Sequence, residues 1–429
     1  MKKMTFILSL VFVMCLSMTM MVNASVNINE TSDVVLLDES NLNARNVVLS
    51  FFEIYIESLE NLTLPEFDGV IDENEDTLRF IKSIEYNVKS NQIWDVKQIN
   101  SNVTIDYLSL QETVDGVNIE VLMSSKHNYN ISPTVESGIG NVYYKFYLKE
   151  LNNGFYEIKD VETDDYNYLC FNEMIDNYDT SENTNVYALN TLNEEQIIEE
   201  LIEDELEFTK YAKNMEHNFE EEMIEEPVVA PYALTVTYNN MLGRNYAQRF
   251  AEASESSRWF YTVDGLDGGD CTNFVSQCVW AGYGGYVEGS TSATATQNNI
   301  RNQYRMTSSW YGGTGGGSPA WESVQGFWNY MTTNTGYGPK ATGYNNGYVY
   351  TNIAPLTINY GDVLQFNSSG SGDYAHSVYV TYTSSATDQY SEILVSAHTN
   401  DVYNAPLTNY TSSRRYMRRL DFQNNTFSN

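Results

Sequence analysis

Basic residues are scarce in this 429-residue chain: 23 Lys and Arg stand against 57 Asp and Glu, a formal net charge of −34. A nucleic-acid binder needs a basic patch to meet the phosphates, so that class is excluded. Cysteine is scarcer, with 4 in the chain. Cys15 falls in an apolar leader; the other three, Cys170, Cys271 and Cys278, leave at least one thiol outside any disulfide. The spacing of Cys271 and Cys278, with no histidine nearby, fits no zinc pattern, so neither a metal nor a cofactor is expected. The glycine tract at 312–317 lacks the lysine of a phosphate loop and reads as a flexible loop. No internal repeat is visible. Beyond the leader no apolar run is long enough to span a bilayer.

The leader itself has two lysines, Lys2 and Lys3, then a long apolar run ending in Val22-Asn23-Ala24. This predicts a signal peptide cleaved after Ala24, and an exported protein, secreted or held at the cell surface, with no membrane segment after cleavage. Charge divides the remainder. From Leu234 onward there are 13 acidic and 10 basic residues, so nearly all of the excess negative charge lies before it. Two units of different character follow: an acidic one at 25–190, joined by an acidic helix and linker at 191–233 to a second at 234–429.

In the first unit, residues 42–63 have apolar positions at helical spacing. Three runs at 92–111, 117–131 and 141–163 alternate with period two, with a turn at Asn152-Asn153-Gly154. The expectation is a helix packed on an antiparallel meander, an α+β arrangement. His127 lies among polar residues and is expected to be exposed. Thr191 to Glu194 reads as a capping box opening a helix to about Met223, its carboxylates and His217 forming a solvated face. "EEPVVAPYAL" is the linker, with the boundary near Pro231. In the second unit, Tyr238, Met241, Tyr246 and Phe250 fit one helix face. "YGGTGGGSPA" and "GYNNGY" read as turns.

The chemistry is concentrated around "GLDGGDCTNFVSQCVWAGYGG", residues 265–285. Phe274 and Cys278 are four apart, as are Val275 and Val279, which predicts a helix with a buried stripe and Cys271 at its N-terminus. Unpaired N–H groups there favour a thiolate and lower its pKa. They are also placed to hold an oxyanion. Gly268 and Gly269 let the chain turn sharply just before it. Cys278 points into the core as an inert small hydrophobe. A nucleophilic thiol needs a base, and two histidines follow, His376 and His398. Strands are expected at 363–366, 375–383 and 390–398. If Thr383 pairs with Tyr390, His376 faces Ala397, and one residue of slip gives Ser396 or His398. A base and a polar orienting group would then meet across two strands.

The run "GGDCTNFVSQCVWAGYGG" resembles the cysteine motif of the putative amidase domain family of Gram-positive bacteria, which belongs with the papain-like NlpC/P60 and CHAP folds. "YNNMLGRNYAQRFAE", "SPAWESVQGFWNYM", "YGDVLQF", "AHSVYVT" and "EILVSAHTND" extend the resemblance over about 235–429. One departure stands out: Asn239-Asn240 occupies the place where an arginine is common. The resemblance implies a papain-like second unit with Cys271 as nucleophile and His376 as base. His398 is the expected third residue, backed by Asn400 and Asp401, and Asp270 is a secondary candidate beside the oxyanion site. The expected activity is cysteine-dependent hydrolysis of an amide bond, with a peptide or amide substrate such as a cell-wall peptide. The rivals are a catalytically silent cell-surface binding module on the same fold, acyl transfer to an amine, and an acidic unit that shields the site. Trp280, Trp310, Trp321 and Trp328 would line a groove in the binding module, but buried aromatic core is the reading preferred for most of them.

Overall fold

The computed structural model describes residues 27–31, 42–151, 154–176, 178, 193–215, 235–252, 259–263, 270–288, 293–348, 353–367, 374–383, 389–411, 416–423 and 425–428. The leader, Asn152-Asn153, Thr191, His217, the linker and the glycines before Asp270 lie outside the described residues.

The first half is a meander of long strands, β2 (Gln98–Glu112), β3 (Gly116–Tyr129), β4 (Ser132–Glu150) and β5 (Tyr156–Thr163), each antiparallel to the next. Strand β1 (Asn27–Thr31) adds to β2 in parallel. Helices α1 (Leu42–Asn61) and α2 (Glu75–Trp94) cover one face. Phe51, Phe52 and Phe80 of these helices join Tyr144 and Phe146 of β4 in one aromatic core, with the Phe51 and Phe146 rings 5.3 Å apart edge to face. Strict alternation governs β3 and turns residue 127 inward. His127 is therefore buried, 4% exposed, with Nδ1 3.3 Å from Ser125 Oγ. Its polar neighbours in sequence suggested exposure, and its position in the period-two pattern overrides them.

Helices α3 (Tyr166–Asp176) and α4 (Glu194–Met215) pack against α2 through Tyr86, Phe171, Ile198 and Leu201. The cap of α4 sits two residues later than expected. The Asn193 N–H donates to Gln196 Oε1 at 3.0 Å and the Gln196 N–H to Asn193 Oδ1 at 2.9 Å. The acidic face is not wholly solvated either. Glu205 is 2% exposed and accepts hydrogen bonds from Ser90 Oγ at 2.7 Å and Trp94 Nε1 at 2.9 Å.

In the second half, β6 (Thr235–Thr237) pairs with β13 (Thr426–Ser428). Helix α5 (Asn240–Phe250) follows, with Tyr246 and Phe250 buried. Tyr238 precedes the helix and Met241 faces out, so the expected four-residue stripe is halved. Asn239, at the departure from the family pattern, caps α5 by accepting from the N–H groups of Met241 and Leu242. Helices α6 (Cys271–Gly282), α7 (Ala293–Arg301), α8 (Pro319–Glu322) and α9 (Val324–Thr333) come next. Trp280, Trp310 and Trp321 are fully buried among them, in the core as preferred. "GYNNGY" is not a turn: it forms β7 (Thr342–Tyr348), an outer strand paired with β12 (Tyr416–Asp421). Partner hydrogen bonds hold a glycine- and asparagine-rich run extended where local propensity would bend it.

Strands β8 (Val363–Asn367), β9 (His376–Tyr382), β10 (Leu394–Ala397) and β11 (Asp401–Pro406) complete a mixed sheet in the order β1-β2-β3-β4-β11-β10-β9-β8-β12-β7, with β5 also on β4. Strand β4 serves both halves. Tyr144 to Glu150 pair with β5, while Gly138, Ile139 and Gly140 pair with β11. Asn141, with φ of 57°, marks the break between the two partners. A shared core lies on one face, where Trp94, Val96 and Tyr129 of the first half meet Leu364, Phe366, Val378, Val380 and Met417 of the second. The opposite face of the second half packs on α5, α6 and α9 through Val363, Tyr379 and Leu420. The class is α+β, as expected. Charge divides the chain near residue 234, whereas the sheet and this core run across that division.

Candidate active site

Helix α6 forms where the apolar spacing places it, with Cys271 as its first residue and all of its residues buried. It crosses α5 closely enough that a Cβ on Gly243 would lie 2.9 Å from the Cys278 carbonyl oxygen and 2.0 Å from the Tyr379 hydroxyl. This explains a glycine inside α5. Cys278 is fully buried in the core below. None of Cys170, Cys271 and Cys278 is in a disulfide.

The Cys271 sulfur lies against the start of β9. It accepts a hydrogen bond from the Ser377 N–H, the amide of the peptide joining His376 to Ser377. The Thr272 hydroxyl is 3.8 Å away. A chain of donors leads to that hydroxyl. Arg418 Nε donates to Gln365 Oε1 at 2.7 Å, and Gln365 Nε2 donates to Ser377 Oγ at 3.0 Å. Ser377 Oγ is 3.0 Å from Thr272 Oγ1. The Gln365 amide nitrogen can only donate, so Ser377 Oγ accepts from it and keeps its own hydrogen for Thr272, whose hydrogen can in turn be given to the sulfur. Arg418 is itself held between the rings of Trp328 and Tyr374, at 4.4 and 4.0 Å.

These donors work against burial. Cys271 is 2% exposed, and burial pushes its thiol above the ordinary value, with Asp270 adding to the rise. The Ser377 N–H and the Thr272 hydroxyl and N–H pull it down. The depressed thiol expected from a helix N-terminus is therefore corrected: loss of hydration outweighs the donors in this closed arrangement.

His376 opens β9, and strand alternation separates it from its neighbour. Ser377 faces α6, while the His376 ring lies with the shared core, in contact with Tyr166 at 4.7 Å and Tyr410 at 5.4 Å. The sequence brings Cys271 to the main chain of the expected base, and the base's ring is set by tyrosines from elsewhere.

His398 is not opposite His376. Ser396 pairs with Tyr379, two residues beyond the expected partner, because Tyr390 to Glu392 form a turn of 3-10 helix and a bulge follows Leu394. His398 instead meets Asp270, Nδ1 to Oδ2 at 2.6 Å, while Nε2 is 3.0 Å from the Phe250 carbonyl oxygen. Its ring stacks on Phe274 at 4.1 Å. Both ring nitrogens thus face oxygen atoms of the second half, one from a side chain and one from the main chain. With both nitrogens engaged, His398 does not orient His376. Asp270 also accepts from Val263 N–H at 2.8 Å and Asn273 Nδ2 at 2.6 Å. Its carboxylate thus ties the residue before Cys271 to the end of β10, and it is not an oxyanion donor.

The two reserve candidates are spent elsewhere. Asn400 Oδ1 accepts the Tyr166 N–H at 2.7 Å and Asn400 Nδ2 donates to the Asp164 carbonyl at 3.1 Å. Asp401 Oδ2 accepts from Asn141 Nδ2 at 3.0 Å. Both fasten the first half to the second. Sequence reasoning missed Ser377, Gln365, Arg418 and Tyr166. A polar residue inside the apolar run "DVLQF" was the available signal for Gln365; nothing local marked the others. Among the described residues no group of three or more His, Cys, Asp or Glu side chains is placed to hold a metal ion, and no helix is long and apolar enough to cross a membrane.

Residues 237–420 match the family model described as a putative amidase domain. The match begins at the end of β6 and closes within β12. It contains every residue around Cys271 named above, and it excludes Tyr166. It agrees with the family resemblance carried by the cysteine motif and points to hydrolysis of an amide substrate. No curated protein and no solved structure matches the chain.

Proposed function

We propose that the putative amidase domain is a cysteine amidohydrolase on a papain-like fold, exported and acting on a peptide amide, with cell-wall peptide the substrate that its expected compartment favours. The observation that carries this reading is the Cys271 sulfur at the first turn of α6, receiving the Ser377 N–H and the donor chain from Arg418. In the reaction the His376 ring, which rests against Tyr166 and Tyr410, turns to the sulfur and takes the thiol proton. The thiolate adds to the substrate carbonyl, and first-turn N–H groups of α6 hold the oxyanion. His376 then protonates the leaving amine, the C–N bond breaks, and an acyl-thioester remains on Cys271. Water, deprotonated by His376, adds to the thioester and releases the acid and the thiol.

Cys271 and His376 are 2% and 4% exposed, so substrate reaches the sulfur only after a local rearrangement. The same burial favours the second reading, a silent binding module that keeps the fold. Full-length wild type and Cys271→Ala, incubated with peptidoglycan fragments and peptide amides, separate the two. New amine termini with wild type and none with the variant are expected. Equal release by both would exclude a cysteine mechanism; release by neither, with binding retained by both, would favour the binding module.

A further inference from the structure

The match to the amidase family ends short of the acidic half, yet the acidic half supplies a ring to the candidate site. Tyr166 opens α3, and its ring touches His376 at 4.7 Å and Tyr410 at 5.6 Å; Tyr410 touches His376 at 5.4 Å. The three rings are in mutual contact. Tyr410 belongs to the second half, on the short helix α10 (Thr408–Thr411). Tyr166 is brought in from outside it.

Its placement is fixed by the second half. Asn400 clasps the strap that leads into α3, accepting the Tyr166 N–H and donating to the Asp164 carbonyl. Asp165, between them, is anchored from the other side by the Tyr144 hydroxyl at 2.6 Å. The clasp matters because packing there is incomplete. Tyr166 and Tyr410 also line a cavity of about 70 Å³ between the halves, together with His127, Tyr129 and Asn409.

We infer that Tyr166 is a positioning residue of the amidase site: the acidic half completes the catalytic centre by fixing the His376 imidazole and favouring its protonated form. This rests on His376 being the base. An aromatic ring against an imidazole restricts its rotamers, and the ring's electron-rich face favours the imidazolium. An imidazolium is what the thiolate of Cys271 needs beside it. Among the described contacts, ionisable Tyr410 lies against the His376 ring, and Cys271 lies beside the backbone of Ser377, the next residue.

The test titrates the histidine ring C–H resonances of the full chain by NMR, with His376 assigned from His376→Gln. Tyr166→Leu keeps apolar volume, so burial is held near constant while the aromatic face is lost. Its His376 midpoint should fall by roughly half a unit to one and a half units, and turnover should fall with little change in KM. Tyr166→Phe should restore both. Asn400→Ala, which opens the clasp without touching the ring, should shift the midpoint in the same direction by less. An unchanged midpoint in Tyr166→Leu and Asn400→Ala would overturn the inference. So would turnover that rises in Tyr166→Leu, which would make Tyr166 a plug. Cys271→Ala is the independent arm. If it leaves the His376 midpoint where it was, the thiol and imidazole are not paired and the reading beneath fails, whatever Tyr166 does.

Discussion

At the scale of single residues, the candidate site depends on donors more than on the helix N-terminus alone. Ser377 gives its N–H to the sulfur, and its hydroxyl is the middle of the chain from Arg418. Ser377→Ala keeps the first and breaks the second. The pH midpoint for Cys271 alkylation should rise by about half a unit to one unit, since hydrogen bonds to a charged group contribute about 1.5–3 kcal/mol and a relayed one less. Ser377→Thr should restore it; an unchanged midpoint in the alanine variant would remove the chain from the account. The place of Cys271 at the start of a helix was legible because its motif is contiguous and the helix follows from i, i+4 apolar spacing. The role of His398 was not. Its partner Asp270 is 128 residues away, and the contact depends on a bulge that no period-two pattern reveals.

At the scale of elements, α4 reads in sequence as an acidic solvated helix, yet it seats Glu205 among Tyr86, Ser90 and Trp94 of α2. Burial pushes this carboxyl up to about 7 from 4.5, against the pull of its three donors. A folded-state value above the unfolded one means that the contribution is present in acid and is lost as pH rises from about 4.5 through about 7. The thermal midpoint of wild type should therefore fall relative to that of Glu205→Gln as pH rises across that window. His127 carries the opposite sign. Burial lowers it to about 3 from 6.5, so the unfolded chain takes its proton first, and stability falls as pH drops from about 6.5 towards 3. Because the two slopes oppose each other between about pH 4.5 and 6.5, the readout is the difference between wild type and Glu205→Gln, and a difference that stays constant above pH 4.5 would contradict the first assignment. The meander was legible from alternation, and so was the direction in which residue 127 points. What misled was judging His127 by its neighbours in sequence, which in a strand lie on the other face.

At the scale of the whole molecule, charge shifts close to where the family match begins, yet it is no guide to how the sheet is built. Net charge reports solvation and partners, while the sheet is set by pairing between residues far apart in sequence, such as Gly138 with Tyr403. No local pattern encodes that seam. The seam leaves little space: a Cβ on Gly138 would lie 2.4 Å from the Ser125 carbonyl oxygen and 2.5 Å from the Tyr403 ring. Gly138→Val should cost about 1–3 kcal/mol by overpacking, read as a lower denaturation midpoint. Because the halves share a sheet and a core, wild type should unfold in one calorimetric transition and Gly138→Val should broaden or split it. Two separate wild-type transitions would contradict the shared core.

The central claim is that Cys271 is a nucleophile paired with His376, and alkylation tests it most directly. The rate at each cysteine would be followed by mass spectrometry of the full chain, from acid to mildly basic pH, in wild type and His376→Ala. The account predicts that Cys271 alone reacts whenever the site opens, at pH well below the ordinary thiol value of about 8.5, and that His376→Ala abolishes this acid-side reactivity. Cys271 reacting as an ordinary thiol in both proteins, or not at all, would contradict it.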